Sequence, residues 1–154
     1  MPRLSALSEV ARNAQLTFPA QVNDDAPFTH PARPLAKATV AIVTTAGLHP
    51  RDARPFTGGD QTWRAIPDGI SDLLQSHASI GFDRTPTQRD LNVVYPIDRL
   101  RELRDAGRIG AVAPYHYSFM GAQRDPARIM NETAPEVARR LLDAGADTVL
   151  LTPT

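Results

Sequence analysis

A chain of 154 residues with 17 basic and 17 acidic side chains has the length of one domain and no global field to gather nucleic acid or an anionic membrane. It holds no cysteine, which excludes disulfides, thiolate metal sites and a cysteine nucleophile drawn from these residues. Arg3, Glu9 and Arg12 interrupt the apolar residues of the first twenty, so neither a signal peptide nor a membrane span is read there, and a cytoplasmic setting is the expectation.

Leu4, Leu7, Val10 and Ala11 recur at helical spacing and predict a short amphipathic helix over 4–14. Pro19, Pro27, Pro31 and Pro34 make 19–36 an extended stretch, so 1–36 reads as a proline-rich N-terminal arm and 37–154 as the α/β domain. The run from Ala38 to Thr45 is β-branched and nearly continuous in apolar character, as a strand covered on both faces should be, and Gly47 permits a sharp exit. Residues 50–70, with Gly58-Gly59-Asp60 and three prolines, read as a long loop that shapes a site. Trp63 in that loop suits a lid or an interface anchor.

A second strand is predicted from Leu73 to Ile80 and a helix over 96–106, with Ile97, Leu100 and Leu103 on one face and Gly107 as its stop. Ile109 to Ala113 predicts a third strand. Asp125-Pro126 looks like an N-cap, and Thr133-Ala134-Pro135-Glu136 like a capping box. Val137, Ala138, Leu141 and Leu142 form the buried stripe of the helix that follows, and Asp147 to Thr152 is the last strand. Helix, glycine and strand thus follow one another twice, which predicts an α/β domain of Rossmann-like, three-layer build with a mostly parallel sheet.

Ligands of such sheets sit outside the carboxyl ends of the strands. Thr44, Thr45 and His49 follow the first strand; His77, Ser79 and Asp83 lie within or after the second; His116 and Ser118 follow the third; Thr152 and Thr154 end the fourth. The catalytic candidates are therefore His49, His77 and His116, and the substrate-binding candidates Thr44, Thr45, Ser79, Asp83 and Ser118. His30 falls in the arm. A lone loop histidine is more often hydrogen-bonded structure than a catalyst. The alternation of Tyr115, Tyr117 and Phe119 equally suits a strand end packed on a helix. Arg99, Arg101, Arg104 and Arg108 read as the solvated face of their helix, and Met120 and Met130 as core. No dinucleotide, P-loop, nucleophile-elbow or zincin signature is present.

Four segments in series resemble the selenoprotein B family of the glycine/sarcosine/betaine/D-proline reductases: Val43 to His49, Ser76 to Arg84, Asp90 to Leu100 and His116 to Gly121. The resemblance runs from about residue 17 to the end. It implies thiol-dependent reductive cleavage of a carbon–nitrogen bond in an amino-acid-like small molecule. It further implies a partner reductase subunit carrying a pyruvoyl group, and a selenocysteine or cysteine as the attacking chalcogen. In the family that residue opens a Sec-x-x-Cys or Cys-x-x-Cys segment directly after the last strand; here the sequence stops at Thr154, so these residues are expected to be inactive by themselves. A helix start at that point would favour a selenolate or thiolate over its protonated form. An in-frame UGA codon, a shortened chain and a natural loss are the three origins considered.

Two other readings stand beside this one. His49, His77 and His116 together could hold zinc and make a hydrolase. The arm and a bare sheet edge suit a non-catalytic binding subunit in an oligomer.

Overall fold

The computed structural model describes residues 3–17, 29–79 and 81–153. Among the described residues, seven strands and four α-helices form a mixed α/β fold. The strands are β1 (Thr39–Thr44), β2 (Leu48–Pro50), β3 (Trp63–Pro67), β4 (Leu73–Gln75), β5 (Ala111–Val112), β6 (Tyr115–Phe119) and β7 (Thr148–Thr152). The helices are α1 (Glu9–Leu16), α2 (Thr85–Arg89), α3 (Ile97–Asp105) and α4 (Ala134–Asp143).

β1 is the centre of the main sheet. It pairs in parallel with β7 on one side and with β5 and then β6 on the other, while β3 closes the far edge antiparallel to β6. The alternation within β1 explains its unbroken apolar run. Val40 and Ile42 enter one core with Val94, Tyr95, Ile97 and Leu100 of the α3 region. Ala41 and Val43 enter the other with Tyr117, Phe119, Val137 and Leu141 of the α4 side. A strand covered twice has no face on which polar residues are tolerated without partners.

β5 and β6 are two pieces of one interrupted strand. Thr39 faces Ala111 but Val43 faces Tyr117, so two extra residues enter between the pairings. Pro114, which has no N–H to give a ladder, sits in the gap, and its carbonyl turns away to accept from Asp68 N at 2.9 Å. The segment expected to follow the third strand is itself strand from Tyr115 to Phe119, as the alternation of Tyr115, Tyr117 and Phe119 allowed.

Several other expectations are corrected. The predicted strand 73–80 shortens to β4, which leaves the main sheet and pairs antiparallel with β2 in a separate two-stranded ribbon; Ile80 lies outside the described residues. The loop 50–70 contains β3, whose Trp63 is no lid: it sits edge-on to Tyr117 at 5.4 Å and donates Nε1–H to Glu136. Asp125 does cap, accepting from Ala127 N at 3.0 Å, but Thr133 is no N-cap. Its backbone is already helical, and its hydroxyl donates to Gln61 O at 2.9 Å. A π-helical turn over Ile129–Thr133 leads into α4, just ahead of Pro135, whose missing N–H and ring disturb the regular ladder. Met120 is core, whereas Met130, Leu103 and Leu142 are exposed. α1 forms at 9–16 behind a 3-10 turn at Leu4–Ala6, capped by Ser8, and buries no residue. Most of the predicted proline-rich stretch, 18–28, lies outside the described residues.

Candidate functional site

The carboxyl ends of β7, β1 and β6 are laced into one rim. Thr45 N donates to Thr152 O at 3.2 Å, Gly121 N to Thr45 O at 2.9 Å, and Gly47 N to Phe119 O at 3.0 Å. Ala46 bridges Met120 across the same edge. Gly47 then reverses the chain with φ +65°, and a Cβ there would stand 3.1 Å from His77 N. Ser76 N donates to Gly47 O, and Gln75 Nε2 to Ala46 O.

Most of the residues expected to face a ligand instead hold this rim together. The Thr44 hydroxyl, fully buried, donates to Val94 O at 2.9 Å and accepts from Ala46 N at 3.2 Å. Thr152 donates to the same Val94 carbonyl at 2.8 Å, tying β7 to the segment before α3. Ser118 Oγ, also fully buried, accepts from Leu48 N at 2.8 Å. Thr45 lies in the rim through its backbone. Asp83 is exposed and accepts from Thr85 N at 2.9 Å; that bond holds its carboxyl below the ordinary range. Ser79 Oγ accepts from Gly81 N at 3.3 Å and lines a cavity described below. Thr154 lies outside the described residues.

The three histidines do not occupy corresponding strand ends. His116 lies inside β6, fully buried, and its Nδ1 accepts from Ile42 N at 2.9 Å. That bond makes Nε2 the protonated nitrogen, and Nε2 has no partner among the described residues. Burial lowers its pKa to about 4, so the ring is neutral at physiological pH. His77 follows β4, accepts on Nδ1 from Ser79 N at 3.2 Å and packs against Phe82. Burial, then the nearby charge of Arg84, lowers its pKa as well. His49 is on β2, buried, and donates Nδ1–H to Pro50 O at 2.7 Å. Among the described residues, no three His, Asp or Glu side chains are grouped so as to hold a metal ion, and the zinc-hydrolase reading is not favoured.

Of the open part of the site, sequence reasoning named Ser79 and the loop holding Gly58 and Gly59 but missed Met120, Ala122 and Arg124. A cavity of about 300 Å³ lies beside the rim, lined by Gly58, Gly59, Ala78, Ser79, Met120, Ala122 and Arg124. Its floor follows directly from β6, and Ala122 adopts φ +55°, unusual for a residue with a Cβ. Next to the Gly58–Gly59 turn Arg64 and Asp60 form a half-buried ion pair at 3.1 Å, and Arg64 also stacks 4.3 Å over Phe56. The Gly-Gly-Asp signal in the loop was visible in the sequence; Arg124, about sixty residues away from it, carried none. A second cavity of about 390 Å³ between α4 and β7 is lined almost wholly by apolar side chains, with Asp147 its one charged group, and gives an amino acid no polar grip.

A mixed sheet whose central strand ends in a laced rim, with an open cavity beside it, defines an α/β protein with a ligand-sized site at its strand ends. The sequence matches the glycine/sarcosine/betaine reductase selenoprotein B family over residues 10–154, and the chain belongs to that family. It is 39% identical over 128 residues to the D-proline reductase subunit gamma of Acetoanaerobium sticklandii, covering 81% of this chain and 52% of that protein. It is 30% identical over 146 residues to the betaine reductase complex component B subunit beta of Peptoclostridium acidaminophilum, covering 91% of this chain and 33% of that one. With the glycine reductase complex component B subunit gamma of Carboxydothermus hydrogenoformans the identity is 29% over 151 residues, 92% and 34% of the two chains. The chain thus spans about half the length of the first relative and a third of the other two. No solved structure matches.

Proposed function

We propose that this chain contributes to a reductase complex that cleaves a carbon–nitrogen bond of an amino-acid-like substrate at the expense of thiols. The observation that carries the reading is the bond from Thr45 N to Thr152 O. It directs whatever follows β7 onto the same rim as the open cavity, in a chain of the selenoprotein B family. We read the doubly covered sheet as Rossmann-like, with ligands at its carboxyl edge.

These 154 residues hold no cysteine, so the electron-carrying chalcogen comes from outside them, and alone they turn over nothing. The step assigned to it conserves atoms and electrons. A selenolate or thiolate forms a bond to the α-carbon while the amine leaves with the carbon–nitrogen pair and takes up a proton. A thiolate then forms a bond to the chalcogen while the carbon–chalcogen bond breaks, and the carbon keeps the electron pair of that broken bond and takes up a second proton. External dithiol resets the oxidised couple. A pyruvoyl group on a partner subunit would activate the amine by drawing electrons from its nitrogen. The residues of this chain bind and orient the substrate and shape the rim, in the reducing interior of the cell.

A chain carrying these residues followed by the family's Sec/Cys segment, assembled with its partner subunits, should release ammonia from glycine, methylamine from sarcosine or trimethylamine from betaine, or open the ring of D-proline to a linear amino acid, when given dithiothreitol. Residues 1–154 in place of the full-length chain should release none. A complete complex that reduces none of the four would refute the reading.

A further inference from the structure

We infer that Arg124, with the Gly58–Gly59 turn, forms the carboxylate-binding end of a substrate pocket at this rim, an inference that rests on the reductase reading and names its substrate class. The cavity beside the rim contains one cationic side chain, Arg124, and no acidic one. Among the described residues Arg124 has no ion pair or hydrogen bond, whereas Arg64, Arg101, Arg128 and Arg140 are each committed to a carboxylate. A guanidinium left unpaired in a concave site is matched in shape by a carboxylate, which accepts two parallel N–H bonds from it.

The remaining walls fit a small substrate. Gly58, Gly59, Ala78 and Ala122 carry little or no side chain, Met120 adds an adaptable apolar surface, and Ser79 adds a hydroxyl. The neighbouring cavity across the Gly58–Gly59 turn is a weaker candidate. Its Arg128 is bonded to Glu132; its Arg54 has no ion pair among the described residues, but it shares the cavity with the Asp60 carboxylate, which would repel an anion, and the cavity does not touch the rim. The order β7, β1, β6 puts the end of β6 two strand spacings, about 10 Å, from the end of β7. A carboxylate held by Arg124 would seat a small amino acid in this cavity, beside the rim on which β7 ends. The site selects for a carboxylate on a small, weakly polar frame. It sets binding, not the chemical step.

The test uses the full-length chain in its complex, with glycine, sarcosine, betaine and D-proline as substrates and methylamine, dimethylamine, tetramethylammonium and pyrrolidine as their counterparts lacking the carboxylate. For whichever acid is reduced, Arg124→Gln should raise KM about tenfold to a hundredfold and change kcat by less than about threefold. Arg124→Lys should recover part of the loss, and Arg99→Gln on the exposed face of α3 should change neither constant. The matching amine should be a poor substrate of the wild type and no poorer in Arg124→Gln. An unchanged KM in Arg124→Gln overturns the pocket while the reductase reading stands. If the wild-type complex reduces none of the acids, ligand-observed NMR with the same four acids separates the two ideas. Binding lost in Arg124→Gln keeps the pocket and discards the reductase reading; binding indifferent to Arg124 overturns the pocket.

Discussion

The Ile42 amide donates to His116 Nδ1 at 2.9 Å, so a side chain completes a ladder that the backbone cannot. The two-residue slip around Pro114 leaves the Ile42 N–H facing no carbonyl, in a core where an unpaired amide is costly. Replacing His116 with Phe should therefore destabilise the fold by about 1–3 kcal/mol, whereas Asn, whose Oδ1 can accept from the same N–H, should retain most of the stability. The ring also fixes an acid dependence. Its folded pKa of about 4 lies below the ordinary histidine value, so the unfolded chain binds the proton first. Stability from this group is complete above about pH 6.5 and falls as the pH drops toward about 4, by up to about 3 kcal/mol. Urea melts at a series of pH values should show this slope in wild type and lose it in His116→Asn. An unchanged slope would mean that His116 is not the titrating group.

Gly47 is required for two separate reasons. Its φ of +65° disfavours any residue with a Cβ, and that Cβ would press on the backbone of His77 at 3.1 Å. Gly47→Ala should cost about 1–3 kcal/mol and displace the β2–β4 ribbon. Gly145 has φ +79° with nothing within 4 Å of its added Cβ, so Gly145→Ala carries the conformational cost alone and should be the milder of the two. Thermal melts of the two variants make the comparison; equal losses would show that the contact with His77 has no weight.

The Val94 carbonyl accepts from the hydroxyls of both Thr44 and Thr152, and this shared acceptor couples the ends of β1 and β7. Thr44→Val also strips the acceptor from Ala46 N, so it should cost more than Thr152→Val. In the double variant Val94 O has lost both hydroxyls, and the combined loss should differ from the sum of the singles by roughly 0.5 kcal/mol or more. Additive losses in a double-mutant cycle would show that the two hydroxyls act independently.

These contacts also explain which parts of the molecule could be read from the sequence. β1, α3 and β7 were legible because each has a long enough run for its period to show: continuous for a strand covered twice, three to four residues for a helix lying on it. β2 and β4 have three residues each, too few for alternation to be distinguished from chance. β3 was hidden among prolines and glycines whose turn signals outweighed the Trp63–Ile66 segment. Thr44, Thr45 and Ser118 lie at the carboxyl edge of the main sheet, and Ser79 lies after β4 of the separate ribbon. Composition cannot show that Thr44 and Ser118 turn inward to serve backbone amides, since a hydroxyl suits a ligand as well as it suits an orphaned N–H. Arg124 became visible only when folding brought the loop at Gly58 against the end of β6.

The loop that forms the other wall of the cavity depends on one ion pair. Arg64 and Asp60 have side chains only 12% and 10% exposed, and the guanidinium further donates to Thr62 Oγ1, Trp63 O and Arg54 O. Burial alone would raise the Asp60 carboxyl, but hydrogen bonds from Thr62 and the charge of Arg64 offset this and hold it below its ordinary value. The pair's stability is therefore present above about pH 4 and is lost as the pH falls through the lowered folded pKa. Arg64→Met removes the guanidinium stacked over Phe56 and leaves the half-buried Asp60 charge without its partner, and should cost about 1–3 kcal/mol. Asp60→Asn retains an acceptor for Thr62 and should cost less. If the pair serves to place the Gly58–Gly59 turn, Arg64→Met combined with Asp60→Asn should regain stability relative to Arg64→Met alone, yet leave the turn loosened. Hydrogen exchange at the Thr62 amide, which donates to Asp60 Oδ1 at 2.8 Å, reads that loosening directly. Exchange at Thr62 as slow as in wild type would show that the turn holds its shape without the ion pair.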